Sequence, residues 1–133
     1  MLKTEIARGP QGRVVLLDSI TKVTAEDAGS IAVSGSHGGS SSGEFALVLA
    51  PLRMAVFNDA GVGKDGAGIA ALPMLQSHGV AAATVAHTSA RIGDALDMWD
   101  HGIVSHVNAA AAAMGLQVGV PLSAGLKRLI GAA

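Results

Sequence analysis

The chain has no Cys and no Tyr, so proton transfer and nucleophilic attack fall to its five His, its carboxylates, its Lys residues and its hydroxyls. Three of the His, namely His37, His87 and His106, lie at or just after short apolar runs, each with polar company. Neutral imidazole titrates near physiological pH, which suits it to acid–base work. Asp59 follows Asn58 at the end of another such run, and Asp18 ends the first one. His37, His87 and His106 with Asp18 or Asp59 have the donor types of a metal site, but no HxH or HExxH spacing supports one. No metal and no other cofactor is expected.

Two glycine-rich segments add further chemistry. Ser34-Gly35-Ser36-His37-Gly38 puts small residues two positions either side of Ser36, a layout that resembles a nucleophile elbow with Ser in place of the first Gly. Ser36 is therefore a candidate nucleophile and His37 a candidate acid–base group. Gly38, Gly39 and Ser40 continue into a run that can cradle an anion at a helix N-terminus. A Gly/Ser loop with a capping Ser explains the same run without a ligand.

Gly61-Val62-Gly63-Lys64-Asp65-Gly66 spells G-x-G-x-x-G between an apolar run and a helical pattern. It is a poor dinucleotide fingerprint. Asn58-Asp59-Ala60 separate the strand from the first Gly, and His87 stands where an acidic ribose ligand belongs. Nor is it a P-loop, because Asn58 occupies the first Gly position and Asp65 replaces Ser or Thr. The remaining reading is a turn whose N–H groups, at Gly61 and Gly63, hold a carboxylate or phosphate. Lys64 adds a point charge or, if desolvated, a base. A mobile loop with a solvated Lys64–Asp65 pair is the simpler alternative.

Arg91 near a helix start runs against the dipole preference, so it is a candidate anion clamp. Asp18, Asn58, His87, Ser89 and Asn108 complete the candidate substrate contacts. Helix capping accounts for Thr24, Ser40 and Asn108 equally well.

These residues need a scaffold that gathers them. β-branched runs at 14–20, 31–34, 53–58, 80–86 and 103–107 alternate with helical patterns at 38–50, 69–78, 92–101, 108–114 and 123–130. Thr24-Ala25-Glu26-Asp27 has the form of a capping box opening a short helix. Pro73 belongs in a first helical turn or at a kink. In the 92–101 helix, Ile92, Leu96 and Trp99 are expected to share one face. The alternation predicts a single α/β domain over 1–133: three-layer, Rossmann-like or flavodoxin-like, with about five mostly parallel strands and helices on both faces. Residues 1–12 receive no assignment. In such a fold all five strand ends meet at one sheet edge, which is where ligands bind.

Composition narrows the function. Net charge is -1, with 14% charged and 50% hydrophobic residues, which disfavours nucleic acid as a partner. The stretches 66–90 and 102–126 contain no Asp, Glu, Lys or Arg, yet Pro, His, Gln and Asn interrupt them, so no membrane span is expected. No secretory signal is visible at the start, and the expected setting is cytoplasmic. The apolar composition suggests a homo-oligomer. The expectation is a small enzyme of non-redox type (hydrolase, lyase or isomerase) acting on a small anionic metabolite at the C-terminal edge of the sheet. Ser36, His37, Asp59, Lys64 and His106 would carry the catalysis. A non-catalytic metabolite- or nucleotide-binding module and a structural subunit are the alternatives.

Overall fold

Runs of Val, Ile, Leu and Ala pair into one six-stranded sheet in the computed structural model, which describes residues 1–132. The strands are β1 (Lys3–Gly9), β2 (Gly12–Leu17), β3 (Ile31–His37), β4 (Met54–Asn58), β5 (Ala81–Val85) and β6 (Val104–Val107). Their spatial order follows the chain, β1-β2-β3-β4-β5-β6. The central four are parallel, while β1 and β6 close the two edges antiparallel. The helices are α1 (Ser40–Val48), α2 (Ala71–Ser77), α3 (Ala95–His101), α4 (Ala109–Met114) and α5 (Leu122–Ile130).

A consecutive parallel order has a direct consequence. Right-handed crossovers from β2 to β3, β3 to β4 and β4 to β5 all fall on one face. That face carries Ile20 and Val23 of the first connection, with Ala46, Ala71, Leu72 and Leu75 of α1 and α2, packed on Leu17, Ala55 and Phe57. The opposite face must be covered by chain that follows β5. Ala95, Met98 and Trp99 of α3 and Leu122, Leu126 and Ile130 of α5 cover it, over Val14, Leu16, Val33 and Val56. The result is three layers of mixed α/β structure. The sheet has no reversal of strand order of the kind that defines a doubly wound sheet.

Three expectations change. Residues 3–9 form a strand in a hairpin with β2. It was silent to periodicity because β1 is an exposed edge in which Lys3, Thr4, Glu5 and Arg8 face solvent. On α3 the buried residues are Ala95, Met98 and Trp99; Ile92 falls before the helix, which starts after its cap Asp94, and Leu96 lies on its exposed face. Most important for the site, the last strand is antiparallel. α3 begins beside β2 and β3, where Ala95 N–H donates to Asp18 and Gly93 N–H to Gly35 O, and ends where Gly102 approaches Val85. It therefore runs across the strand ends instead of down the sheet. β6 starts at the edge where β5 stops and leads away from it.

Pro73 sits in the first turn of α2, where its missing N–H costs nothing. The capping box at Thr24 and Asp27 is present on a 3-10 turn, Ala25–Asp27. No helix among the described residues is long and apolar enough to cross a membrane.

Candidate functional site

The C-terminal ends of β2 to β5 and the start of β6 meet at one edge. Its centre is the residue pair that ends β4. Asn58 is buried and committed to structure: its Nδ2 donates to Ala90 O at 2.9 Å and its Oδ1 accepts Ala60 N–H at 2.9 Å. Asp59 continues the ladder through its N–H to Val85 O at 2.9 Å. Its carboxylate, 6% exposed, accepts N–H groups from Gly61 at 2.8 Å and His87 at 3.0 Å, and lies 3.3 Å from His87 Nδ1. Burial pushes the Asp59 carboxyl upward. The Gly61 N–H, the Ser105 hydroxyl, the His87 N–H and the His87 ring together outweigh that and hold it below the usual range. Asp59 is thus a buried carboxylate facing an imidazole that is 53% exposed. The two groups lie at ion-pair distance with no hydrogen bond between ring and carboxylate, and the ring lies over Gly61.

A second polar group adjoins this pair. Thr84, fully buried in β5, meets Ser105 Oγ at 2.8 Å and His106 Nδ1 at 3.2 Å, and Ser105 Oγ is 3.2 Å from the same nitrogen. The pairing of Thr84 with His106 and of Val85 with Val104 leaves Ser105 out of register, a bulge. A bulge re-aims side chains, and here it lets two successive residues reach the same hydroxyl.

The segment after Asp59 is strained. Ala60, Val62 and Asp65 take φ of 51°, 66° and 57°, alongside left-handed Gly61, Gly63 and Gly66. A β-branched residue in this region is an outlier. The turn is held from within: Val62 N–H donates to Asp59 O at 2.7 Å, Gly63 N–H to Gly61 O at 2.7 Å and Gly68 N–H to Val62 O at 2.6 Å. The expected anion cradle at Gly61 and Gly63 is therefore absent, since both N–H groups are already used internally. Gly68 has a different role. A Cβ there would strike Asp59 O, so Gly68 lets the returning chain lie against β4.

His37 ends β3 with Nδ1 accepting Gly39 N–H at 3.0 Å. Its ring lines a depression of about 230 Å³ with Ala60, Val62, Gly63, Ala67 and Gly68. Gly38 packs under the same loop, with Gly68 O 2.6 Å from where a Cβ would stand. Ser40 is exposed at the first position of α1. Lys64 and Arg91 are exposed, with no ion pair among the described residues.

Other candidates turn out to brace the fold. Ser36 lies within β3, not on a sharp turn, and its Oγ accepts Ile20 N–H at 3.1 Å. Ser34 Oγ accepts Ser36 N–H at 3.0 Å. Asp18 accepts Leu2 N–H at 2.8 Å and Ala95 N–H at 3.1 Å, tying β1 and α3 to the end of β2. Ser89 Oγ donates to Ala86 O and accepts Ile103 N–H. Asn108 lies at the opposite edge because β6 is antiparallel. It caps α4 and ties that helix to β5 and α2: its Oδ1 accepts Ala111 and Ala82 N–H and its Nδ2 donates to Val80 and Leu72 carbonyls.

Among the described residues no three His, Asp or Glu side chains are placed to hold one metal ion. A depression of about 250 Å³ beside α5 is the larger one, but its lining has Arg128 and Gln117 and no acid–base pair. Thr84 and Ser105 were not among the candidates. Their signal was faint: a lone Thr in the apolar run 80–86, and a Ser beside His106. Comparison with protein-family models, with curated proteins and with solved structures returned no match to this chain.

Proposed function

We propose that the chain is a small non-redox enzyme, a hydrolase, lyase or isomerase, that acts on a small anionic metabolite at the C-terminal sheet edge. The observation that carries the reading is the buried Asp59 carboxylate 3.3 Å from Nδ1 of the exposed His87 ring. A carboxylate beside an exposed imidazole is an arrangement suited to general acid–base work. His87 is the base in this reading and Asp59 its orienting partner. His37, exposed and flanking the same loop, supplies a second proton-carrying group. Lys64 and Arg91 stand as exposed cations that draw an anion toward the edge. Strain at Val62 supports the same location, because strained backbone gathers at functional sites. Self-association belongs to this proposal, supported by the exposed apolar Phe45 and Val48 on α1, and so does a cytoplasmic setting.

The test is a screen of small carboxylates and phosphates against the isotope-labelled protein. Amide shifts clustered at residues 37–39, 59–68 and 87 are expected. Shifts confined elsewhere, or none, would overturn the reading. With a substrate in hand, His87→Gln should lower kcat by about 10²-fold or more, the range of general acid–base catalysis. A variant that changes affinity alone would favour a metabolite-binding module.

A further inference from the structure

A backbone N–H can only donate, so the 3.0 Å bond from Gly39 N–H makes Nδ1 of His37 an acceptor. A neutral imidazole with a bare Nδ1 carries its hydrogen on Nε2. A second proton can enter only at Nδ1, which breaks the Gly39 bond and still leaves Nε2 protonated. Nε2 therefore donates in both charge states and offers no lone pair. Among the described residues the ring makes no other hydrogen bond. It is exposed, and it lines the depression beside Ala60, Val62 and Gly68. Gly39 makes the contact possible. A Cβ there would stand 2.6 Å from Nδ1 of the ring and closer still to Cε1. The Gly39 backbone, with φ -81° and ψ 175°, is one that any residue adopts, so its missing side chain serves the ring and not the turn.

We infer that Gly39 is a positioning residue that holds His37 as its Nε2–H tautomer, which makes His37 a hydrogen-bond donor to an oxygen of the ligand and not a base. The two imidazoles then divide the work. His87, beside the Asp59 carboxylate, is the base, and His37 donates to the oxygen on which negative charge collects. The spacing suits a small molecule between them. His37 pairs with Asn58, and Asn58 with Val85, two residues before His87. The two His thus leave strands that lie two spacings apart, about 10 Å. The ligand class is a small molecule with a carbonyl, carboxylate or phosphate oxygen at the depression. This division of labour rests on the acid–base reading; the tautomer and the part Gly39 plays in it do not.

The test is a long-range proton–nitrogen correlation spectrum of the imidazoles in the full chain, at a pH where the His are neutral. His37 should show a protonated Nε2 and a bare Nδ1, with no admixture of the other tautomer. In Gly39→Ala the new Cβ displaces the ring, and the His37 signals should move toward an average of both tautomers. A second measurement needs no variant: the Gly39 amide proton should move upfield as the His37 ring is protonated, because its acceptor is lost. A protonated Nδ1 in the neutral ring overturns the inference, as does a Gly39 amide that ignores the ring's titration or a Gly39→Ala spectrum identical to the parent's. Once a metabolite is found, His37→Ala should lower kcat by about 10²-fold or more, the loss of one donor to a developing oxyanion. His37→Gln keeps an N–H donor without a titrating ring, so it should recover part of that loss and keep the parent's pH profile. Loss of one limb of the profile in His37→Gln would make His37 a base and overturn its donor role. If His37 is Nε2–H and no metabolite binds at the edge, the positioning stands and the acid–base function falls.

Discussion

Replacing Asp59 by Asn keeps its shape and removes its charge. The Asn oxygen can still accept the Gly61 and His87 N–H groups that now lie 2.8 and 3.0 Å from the carboxylate. Hydrogen bonds to a charged acceptor contribute about 1.5–3 kcal/mol and neutral ones about 0.5–1.5. Two weakened bonds therefore cost about 2 kcal/mol, reduced by the relief of not burying a charge, for a net loss of about 1–2 kcal/mol at pH 7. The sign with pH follows from the lowered Asp59 pKa. A carboxyl with a folded pKa below its unfolded value stabilises above that unfolded value, about 3.9 for Asp, and the contribution disappears as pH falls through the folded pKa. Urea unfolding of both proteins between pH 7 and pH 3 measures this. The gap between them should be widest at pH 7 and shrink on the acid side. Asp27 and Asp97, also held below the usual range, titrate in both proteins and cancel in the difference. A gap that stays constant with pH, or no gap at pH 7, would refute the claim that a buried ionised carboxylate organises this edge.

Asn108→Ala should cost about 3 kcal/mol or more in urea unfolding, because it strips partners from the Ala82 and Ala111 N–H groups and the Val80 carbonyl; a loss below about 1 kcal/mol would contradict the bracing role. Gly68→Ala puts a Cβ against Asp59 O and should lower thermal stability and broaden the amide signals of the 59–68 loop, and unchanged spectra would show that the loop does not lie against β4. Val62→Gly removes a left-handed cost of about 1–2 kcal/mol and adds about 0.4–1 kcal/mol of chain entropy. The variant should therefore melt no lower than the parent, and a clear drop in melting temperature would mean that Val62 is not strained.

The central layer was legible because buried parallel strands are short, apolar and β-branched, and four such runs stand out in the sequence. β1 was not, since an exposed edge strand carries Lys3, Glu5 and Arg8 in place of an apolar period. Strand direction was illegible for a different reason. A helix before a strand implies a parallel return only if it spans the sheet. α3 has seven residues, about 10 Å of helix, and its docking at Asp18 and Gly35 turns it across the strands. Nothing in residues 95–101 encodes that by itself. One error of direction then moved Asn108 to the wrong edge, while His106, midway along β6, stayed within reach of Thr84.

The glycines show why site chemistry was harder to read than the scaffold. A Gly-rich turn after a strand can expose N–H groups to a ligand or let two backbones approach, and the two uses look alike in sequence. Here the second governs Gly38 and Gly68, whose missing Cβ atoms allow the loop to settle on β4. The N–H of Gly61 is turned to the protein's own carboxylate, Asp59. Asp59 therefore occupies the place an incoming anion would take, and by charge alone it repels one. The proposed recognition of an anion must then rest on side chains instead of the N–H groups of that turn: the cationic Lys64 and Arg91, with the exposed rings of His37 and His87. Removing Lys64 and Arg91 together should therefore weaken anion binding more at low salt than at high salt, since exposed charges act over about a Debye length. The same pair of changes should leave the Asp59–His87 geometry intact. Equal weakening at both salt concentrations would instead mean that the anion is held by buried groups.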